Sequence, residues 1–233
     1  MNNILVVAAH PDDEILGCGG VIAKHKRIGD KVDVLIAAEG ITSRNLELKD
    51  KESLDKLKSE ANSANEILGV DNLYLEGLPD NRLDKLLRLE AVKLIEKYIK
   101  KTQPSIIYTH HSGDVNIDHQ VLHHSVVTAC RPVPSMSVKE ILYFEVLSST
   151  EWQTPYSNNT FTPNWFVEIN DSIDLKLQAI DCYKSEMREW PHPRSIKGVK
   201  TLASYRGGSI GVNFAEAFML GRKIIKEKGN IND

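Results

Sequence analysis

The chain has 233 residues, 41% hydrophobic and 26% charged, which are ordinary values for a protein that buries its own core. They argue against a disordered or fibrous chain. Lysine and arginine total 29 against 32 aspartates and glutamates, a formal net charge of -3, so no basic surplus points to nucleic acid.

Met1-Asn2-Asn3 runs directly into the apolar segment Ile4–Ala9, with no positively charged leader, and a cytoplasmic protein is expected. The segment reads as a strand buried on both faces. His10-Pro11-Asp12-Asp13-Glu14 follows, then a helix from Ile15 to about Ile28 and a strand over Lys31–Ala37. Ser53–Leu68 reads as helix, Leu73–Leu75 as strand, Leu83–Lys100 as helix and Ser105–Thr109 as strand. Ile117–Cys130 is expected to be a helix stopped by Arg131-Pro132. Beyond it, Glu140–Val146 and Trp165–Ile169 read as strands, and Asp171–Met187 and Asn213–Lys228 as helices.

This alternation predicts an α/β protein, a Rossmann-like three-layer αβα fold with a mainly parallel sheet. One domain is expected over 1–233. Its core spans about 3–131, 132–224 complete the sheet and cover the site mouth, and 225–233 form a tail. No apolar run is long enough to cross a bilayer. Cys18, Cys130 and Cys182 are scattered and odd in number, which excludes a disulfide framework or a CxxC zinc site, and they are expected to be small buried residues.

In open α/β sheets ligands bind at the carboxyl ends of the strands. The residues falling there are His10, Asp12 and Asp13 after the first strand, then Glu39 and Arg44 after the second. Asp80, Asn81 and Arg82 follow the third, and His110, His111, Asp114, Asn116, Asp118 and His119 the fourth. Imidazole nitrogens and carboxylate oxygens suit zinc, and three protein ligands leave a position for water. Adjacent side chains in an extended turn point apart, so one of Asp12 and Asp13 can ligate while the other takes a proton from water. The segment from His10 to Glu14 alone also reads as a turn leading into an acidic helix N-terminus. Asp118-His119 after the fourth strand favours the metal.

Ala9-His10-Pro11-Asp12-Asp13-Glu14 taken with Asp114-Val115-Asn116-Ile117-Asp118-His119 resembles the LmbE-like, or PIG-L, zinc-dependent deacetylases. The resemblance covers about residues 3–131 and extends to Pro191-His192-Pro193-Arg194-Ser195 and Arg206-Gly207. It implies removal of an N-acetyl group from an N-acetylglucosamine-type sugar or conjugate, a small-molecule amino-sugar substrate. It further implies Zn2+ held by His10, Asp13 and His119, and attack by a metal-bound water activated by Asp12. Many members have a histidine where this chain has Asn116, which can donate a hydrogen bond but cannot act as an acid at neutral pH. Either Asp12 itself returns the proton to the leaving amine or another histidine reaches in, His192 and His111 being the candidates, and Asp118 is expected to hold a neighbouring side chain. Arg44, Asp80, Asn81, Arg82 and His192 are the candidate substrate contacts; Arg44 also reads as a surface arginine, and Asp80, Asn81 and Arg82, which follow a proline, also read as turn chemistry. Family members are often homo-oligomers, and no hydrophobic stripe here specifies a state.

Two other functions remain open on sequence. A magnesium-dependent phosphatase or phosphoryl-transfer enzyme would use the aspartates, although magnesium prefers all-oxygen sites. A nucleotide-binding module would use Gly17-Cys18-Gly19-Gly20, which lacks the full GxGxxG spacing and is better explained by close helix packing. Trp152, Trp165 and Trp190 read either as sugar-stacking or as core residues. Arg131 and Arg206 read as either anion-binding or internally paired.

Overall fold

The computed structural model describes residues 1–40, 51–154 and 159–225. Seven strands form one sheet in the order β3-β2-β1-β4-β5-β7-β6. They are β1 Asn3–Ala8, β2 Lys31–Ala38, β3 Asn72–Leu78, β4 Ile106–His110, β5 Glu140–Phe144, β6 Trp165–Glu168 and β7 Ala215–Lys223. The first five in that order are mutually parallel, and β7 runs antiparallel to both β5 and β6. The expected Rossmann-like, mainly parallel αβα architecture is the observed one.

β1 shows why its apolar run is unbroken. Ile4, Val6 and Ala8 feed the core beneath α1 (Asp13–Arg27), α2 (Lys51–Ile67), α5 (Ile173–Asp181) and α6 (Ile196–Gly208). Leu5, Val7 and Ala9 feed the second core, beneath α3 (Arg88–Thr102) and α4 (Ile117–Ala129). Alternate residues of a strand point to opposite faces, so a strand covered by helices on both sides must be apolar throughout. From β1 the chain winds outward through β2 to β3, then returns to place β4 on the other flank of β1. That reversal is a topological switch point, where the strand ends splay and leave a crevice. His10 follows β1 and the segment 111–119 follows β4, so the fold delivers both motifs to this crevice.

Three expectations are corrected. Leu83–Lys85 form a separate 3-10 turn and α3 begins only at Arg88, because Leu83 is buried and its N–H is bound by the Asp118 carboxylate at 2.9 Å. Helix α5 ends at Asp181 rather than Met187, and α6, not anticipated, occupies Ile196–Gly208. The segment read as a helix over Asn213–Lys228 contains instead the strand β7.

Helix α1 is broken at Cys18 (φ -148°, ψ 22°). Across the break the N–H groups of Gly20 and Val21 donate to the two carboxylate oxygens of Glu216 at 2.9 and 2.7 Å. Lys176 Nζ donates to the carbonyl of Leu16 at 2.8 Å and to Glu216 at 2.6 Å. A Cβ on Gly17 would lie 2.4 Å from the Phe144 ring, and one on Gly20 2.7 Å from Ile169. The glycines are thus consumed by packing, and a carboxylate already holds the N–H groups a phosphate would need. This arrangement argues against the nucleotide-binding reading. Among the described residues no helix is long and apolar enough to cross a membrane.

Candidate metal centre

The turn after β1 is strained at Asp12. Asp12 has φ 105°, a region that residues other than glycine enter at a cost of about 1–3 kcal/mol. Glu14 holds it there, because its Oε2 accepts the Asp12 N–H at 3.1 Å. Glu14 Oε1 in turn accepts from Asn65 Nδ2 at 2.9 Å and from the Tyr183 hydroxyl at 2.5 Å. The Asp12 carbonyl starts α1 by accepting from Ile15 and Leu16. The turn therefore presents Asp12 and Asp13 in different directions.

Asp13 faces the two histidines. Its Oδ2 lies 3.3 Å from His10 Nδ1 and 3.2 Å from His119 Nε2. Ligand atoms of His10, Asp13 and His119 lie within 4.8 Å of one another, and all three residues are buried. His119 Nε2 is buried yet makes no aligned hydrogen bond. An orphaned imidazole nitrogen is costly in a dry interior, and a coordinated cation would satisfy it. The donor set fits a metal ion.

Each histidine is oriented from behind. His10 Nε2 contacts Asp118 Oδ2 at 3.0 Å and Asp80 Oδ1 at 3.1 Å, leaving Nδ1 toward Asp13. Asp118 also accepts the N–H groups of Asn81 and Leu83, at 2.7 and 2.9 Å. His10, Asp80 and Asp118 also converge as a possible ligand set, but these bonds make the two carboxylates a clamp on His10. His119 Nδ1 lies 3.2 Å from Asp114 Oδ1. Asp114 is fixed by the hydroxyls of Ser149 and Thr150 and by the Asn116 N–H. Carboxylates behind ligand imidazoles set tautomer and basicity. His110 stacks on His119 with centroids 3.9 Å apart while its Nε2 accepts the Ala9 N–H at 2.8 Å.

Burial disfavours charge on all these groups, so their protonation reveals which neighbours outweigh it. At Asp13 burial is overcome by His119 and His10, and the carboxyl is held well below its usual range. At His119 burial is overcome by Asp13 and Asp114, which lift the imidazolium to about 9. Asp12 goes the other way. Burial, reinforced by Asp13, lifts its carboxyl well above the usual range, with Arg194 opposing. Two adjacent aspartates are split into a stable anion and a proton acceptor, and the anion field at His10, Asp13 and His119 calls for positive charge.

Arg194 Nη1 reaches Asp12 Oδ2 at 3.0 Å and Glu186 Oε2 at 3.4 Å. Its segment is set by Ser195, whose Oγ caps α6 by accepting from Gly198 at 3.0 Å. A side chain at Gly198 would collide with the Pro193 carbonyl, so glycine there permits the approach. Asn116 caps α4, its Oδ1 accepting the Asp118 N–H at 2.8 Å. That bond fixes the orientation of the amide, whose other end, Nδ2, is a donor group. An open cavity of about 600 Å³ joins these groups.

Of the residues singled out in the sequence, His10, Asp12, Asp13, Asp80, Asn81, Asn116 and His119 line this cavity, and Asp118 is buried behind it. Arg82 and His192 do not line it, and Arg44 lies outside the described residues. His111 is turned to the Asn159 carbonyl and the Phe161 ring. Arg206 pairs internally, binding both oxygens of Glu145 at 2.8 and 2.7 Å. The sequence reading missed Arg194, Glu186 and the Ser149–Thr150 clamp on Asp114. The Pro-His-Pro-Arg-Ser segment carried a usable signal for Arg194, since a charged residue between a proline and a helix cap is held in place.

An αβα sheet whose switch point gathers a buried His-Asp-His donor set beside a second, separately tuned carboxylate defines a candidate metal centre on an open α/β scaffold. Residues 5–130, more than half of the chain, match the PIG-L family, described as GlcNAc-PI de-N-acetylase, and the chain belongs to that family. It is 26% identical to the diacetylchitobiose deacetylase of Thermococcus kodakarensis over 93% of this chain and 82% of that one. Its fold is similar to that of the N,N'-diacetylchitobiose deacetylase from Pyrococcus horikoshii, with a TM-score of 0.77 and 22% identity over 98% of this chain and 87% of that one. It is equally similar in fold to the 4-carboxy-2-hydroxymuconate hydratase GalB of Pseudomonas putida KT2440, with a TM-score of 0.77 and 20% identity over 99% of this chain and all of that one. One scaffold therefore carries proteins named for different reactions, and function has to be argued from the site.

Proposed function

We propose that the protein is a zinc-dependent hydrolase that removes the N-acetyl group from an N-acetylglucosamine-type sugar or sugar conjugate. The observation that carries this reading is the convergence of His10, Asp13 and His119 in one cavity with Asp12, whose carboxyl is tuned apart from that of Asp13. Imidazole and carboxylate donors suit zinc better than magnesium, which favours this reading over a phosphatase.

His10, Asp13 and His119 would hold the zinc, which when bound acts as a Lewis acid on the acetyl carbonyl and makes water acidic near neutral pH. Asp12 takes a proton from the attacking water as a new C–O bond forms at the acetyl carbon. Arg194 engages Asp12 through Oδ2, which leaves Oδ1 to carry that proton. As the C–N bond breaks, Asp12 returns the proton to the departing sugar amine, giving acetate and a free amino sugar. Asn116 Nδ2 donates to the oxygen on which negative charge develops, from a position the helix cap fixes before substrate arrives. The polar lining of the cavity, with its carboxylates, amides and Arg194, suits the hydroxyl and acetamido groups of a sugar ring.

The test is elemental analysis of the purified protein together with acetate release from N-acetylglucosamine and N,N'-diacetylchitobiose. About one zinc per chain and acetate from either sugar is the expected result. Absence of zinc, or zinc without acetate release from either sugar, overturns it. Acetate also separates this reaction from addition of water to a carbon–carbon double bond.

A further inference from the structure

Two tryptophans remain unused by the site and largely exposed, Trp152 at 57% and Trp190 at 49%. Trp165 differs, since it lies on β6 and packs against the core. An isolated exposed aromatic needs no explanation. Trp152, however, stands on a braced segment tied to the metal centre. Ser149 and Thr150 bind the Asp114 carboxylate behind His119, and Gln153 Nε2 donates to the Asp114 carbonyl at 3.2 Å. Glu151 accepts the N–H groups of Ser148 and Ser149 at 2.6 and 3.3 Å. Trp152 therefore stands on a fixed support three residues beyond Ser149, which with Ser148 forms part of the cavity lining.

A second segment arrives from the other side. Arg194 reaches Asp12, and two residues earlier His192 uses Nδ1 to accept the Arg194 N–H at 3.1 Å. The His192 and Trp152 rings meet edge to face, with centroids 5.7 Å apart and planes at 84°. Contacts and chain connectivity thus link Asp12, Arg194, His192, Trp152, Thr150, Asp114 and His119, of which Asp12, Arg194 and His119 line the cavity while the Trp152–His192 pair lies close in the chain to the lining residues Ser149 and Arg194.

We infer that Trp152, backed by His192, is a stacking platform for a second pyranose ring glycosidically attached to the sugar being deacetylated. The cavity is lined by carboxylates, amides and an arginine suited to hydroxyl and acetamido groups. A ring leaving that cavity presents an apolar C–H face, and an indole of fixed orientation matches it at little entropic cost. This inference rests on the proposed deacetylation for the identity of the first ring. It assigns Trp152 to choice between mono- and disaccharides rather than to the chemistry.

Two measurements on the zinc-loaded protein test it separately from the reaction. Calorimetric titration of Asp12→Asn and of Asp12→Asn/Trp152→Ala with N,N'-diacetylchitobiose measures binding without turnover, and loss of the indole should raise Kd about tenfold. In the otherwise unaltered protein, Trp152→Ala should lower the ratio of kcat/KM for disaccharide over monosaccharide by a similar factor, with Trp152→Phe restoring part of it. Equal Kd values with and without Trp152, or no disaccharide binding at all, overturn the platform. Weakened disaccharide binding in a protein that releases no acetate would uphold the platform while sinking the proposed reaction.

Discussion

Asp12 and Asp13 are neighbours of the same chemistry whose environments oppose each other. The positive φ at Asp12 turns its carboxylate toward Arg194, while Asp13 stays between His10 and His119. Asp12→Asn is expected to keep about one zinc per chain and to reduce turnover by about 10²–10⁴. Asp13→Asn is expected to lose the metal itself. Elemental analysis beside an acetate assay distinguishes them, and loss of zinc from the Asp12 variant would reverse the assignment. Asn116 permits a similar separation because it caps α4 with Oδ1 while the residue itself lines the cavity. Asn116→Ala should cost about 1 kcal/mol of stability through the lost cap. It should also lower turnover about 10²-fold through the lost donor. Asn116→Asp keeps the cap but not the donor, so denaturant unfolding should return near wild-type stability while turnover stays low. Full activity in the aspartate variant would remove Asn116 from the chemistry.

At the scale of elements, the broken helix α1 is the least ordinary part of the fold. Its exposed N–H and C=O groups are satisfied by Glu216 from β7 and Lys176 from α5, a buried ion pair inserted where intrahelical bonds are missing. Removing one partner leaves the other charged and buried, so Lys176→Met and Glu216→Gln should each destabilise by about 3–5 kcal/mol. The double variant should cost clearly less than the sum of the two. Additive losses in denaturant titrations would show that the pair does not act as a unit. The same two residues explain why the C-terminal third was hard to read. Ala215-Glu216-Ala217-Phe218-Met219-Leu220 has helix-forming residues and no β-branched one, yet it forms the strand between β5 and β6, with Ala215, Ala217 and Phe218 buried and Glu216 bound at the α1 break. Helix α6 begins at a serine cap but carries glycines at 198, 207 and 208, which blurs its pattern. By contrast β1, β2 and β4 were legible because burial on both faces leaves nearly uninterrupted apolar runs.

Across the whole molecule, the site joins parts of the chain more than a hundred residues apart. His10 and Asp13 come from the end of β1, His119 comes from α4 beyond β4, and Arg194 arrives from the turn before α6. The metal-ligand candidates were readable because each motif directly follows a strand and the switch-point rule sends both to one crevice. Arg194 was not, since only the path of the chain after α5 brings it to Asp12. This construction has a thermodynamic consequence. An ion held by His10, Asp13 and His119 ties two flanking loops of adjacent strands together and binds the folded state alone. Zinc at about a thousand times its Kd should then add about 4 kcal/mol. For a chain of this size that corresponds to a rise in thermal midpoint of about 8–16 °C. Scanning calorimetry with zinc and after chelation should show that difference in the wild-type protein, while Asp13→Asn should unfold at one temperature under both conditions. A shift that persists in the Asp13 variant would place the stabilising ion elsewhere, and no shift in the wild type would mean that the three residues do not hold zinc.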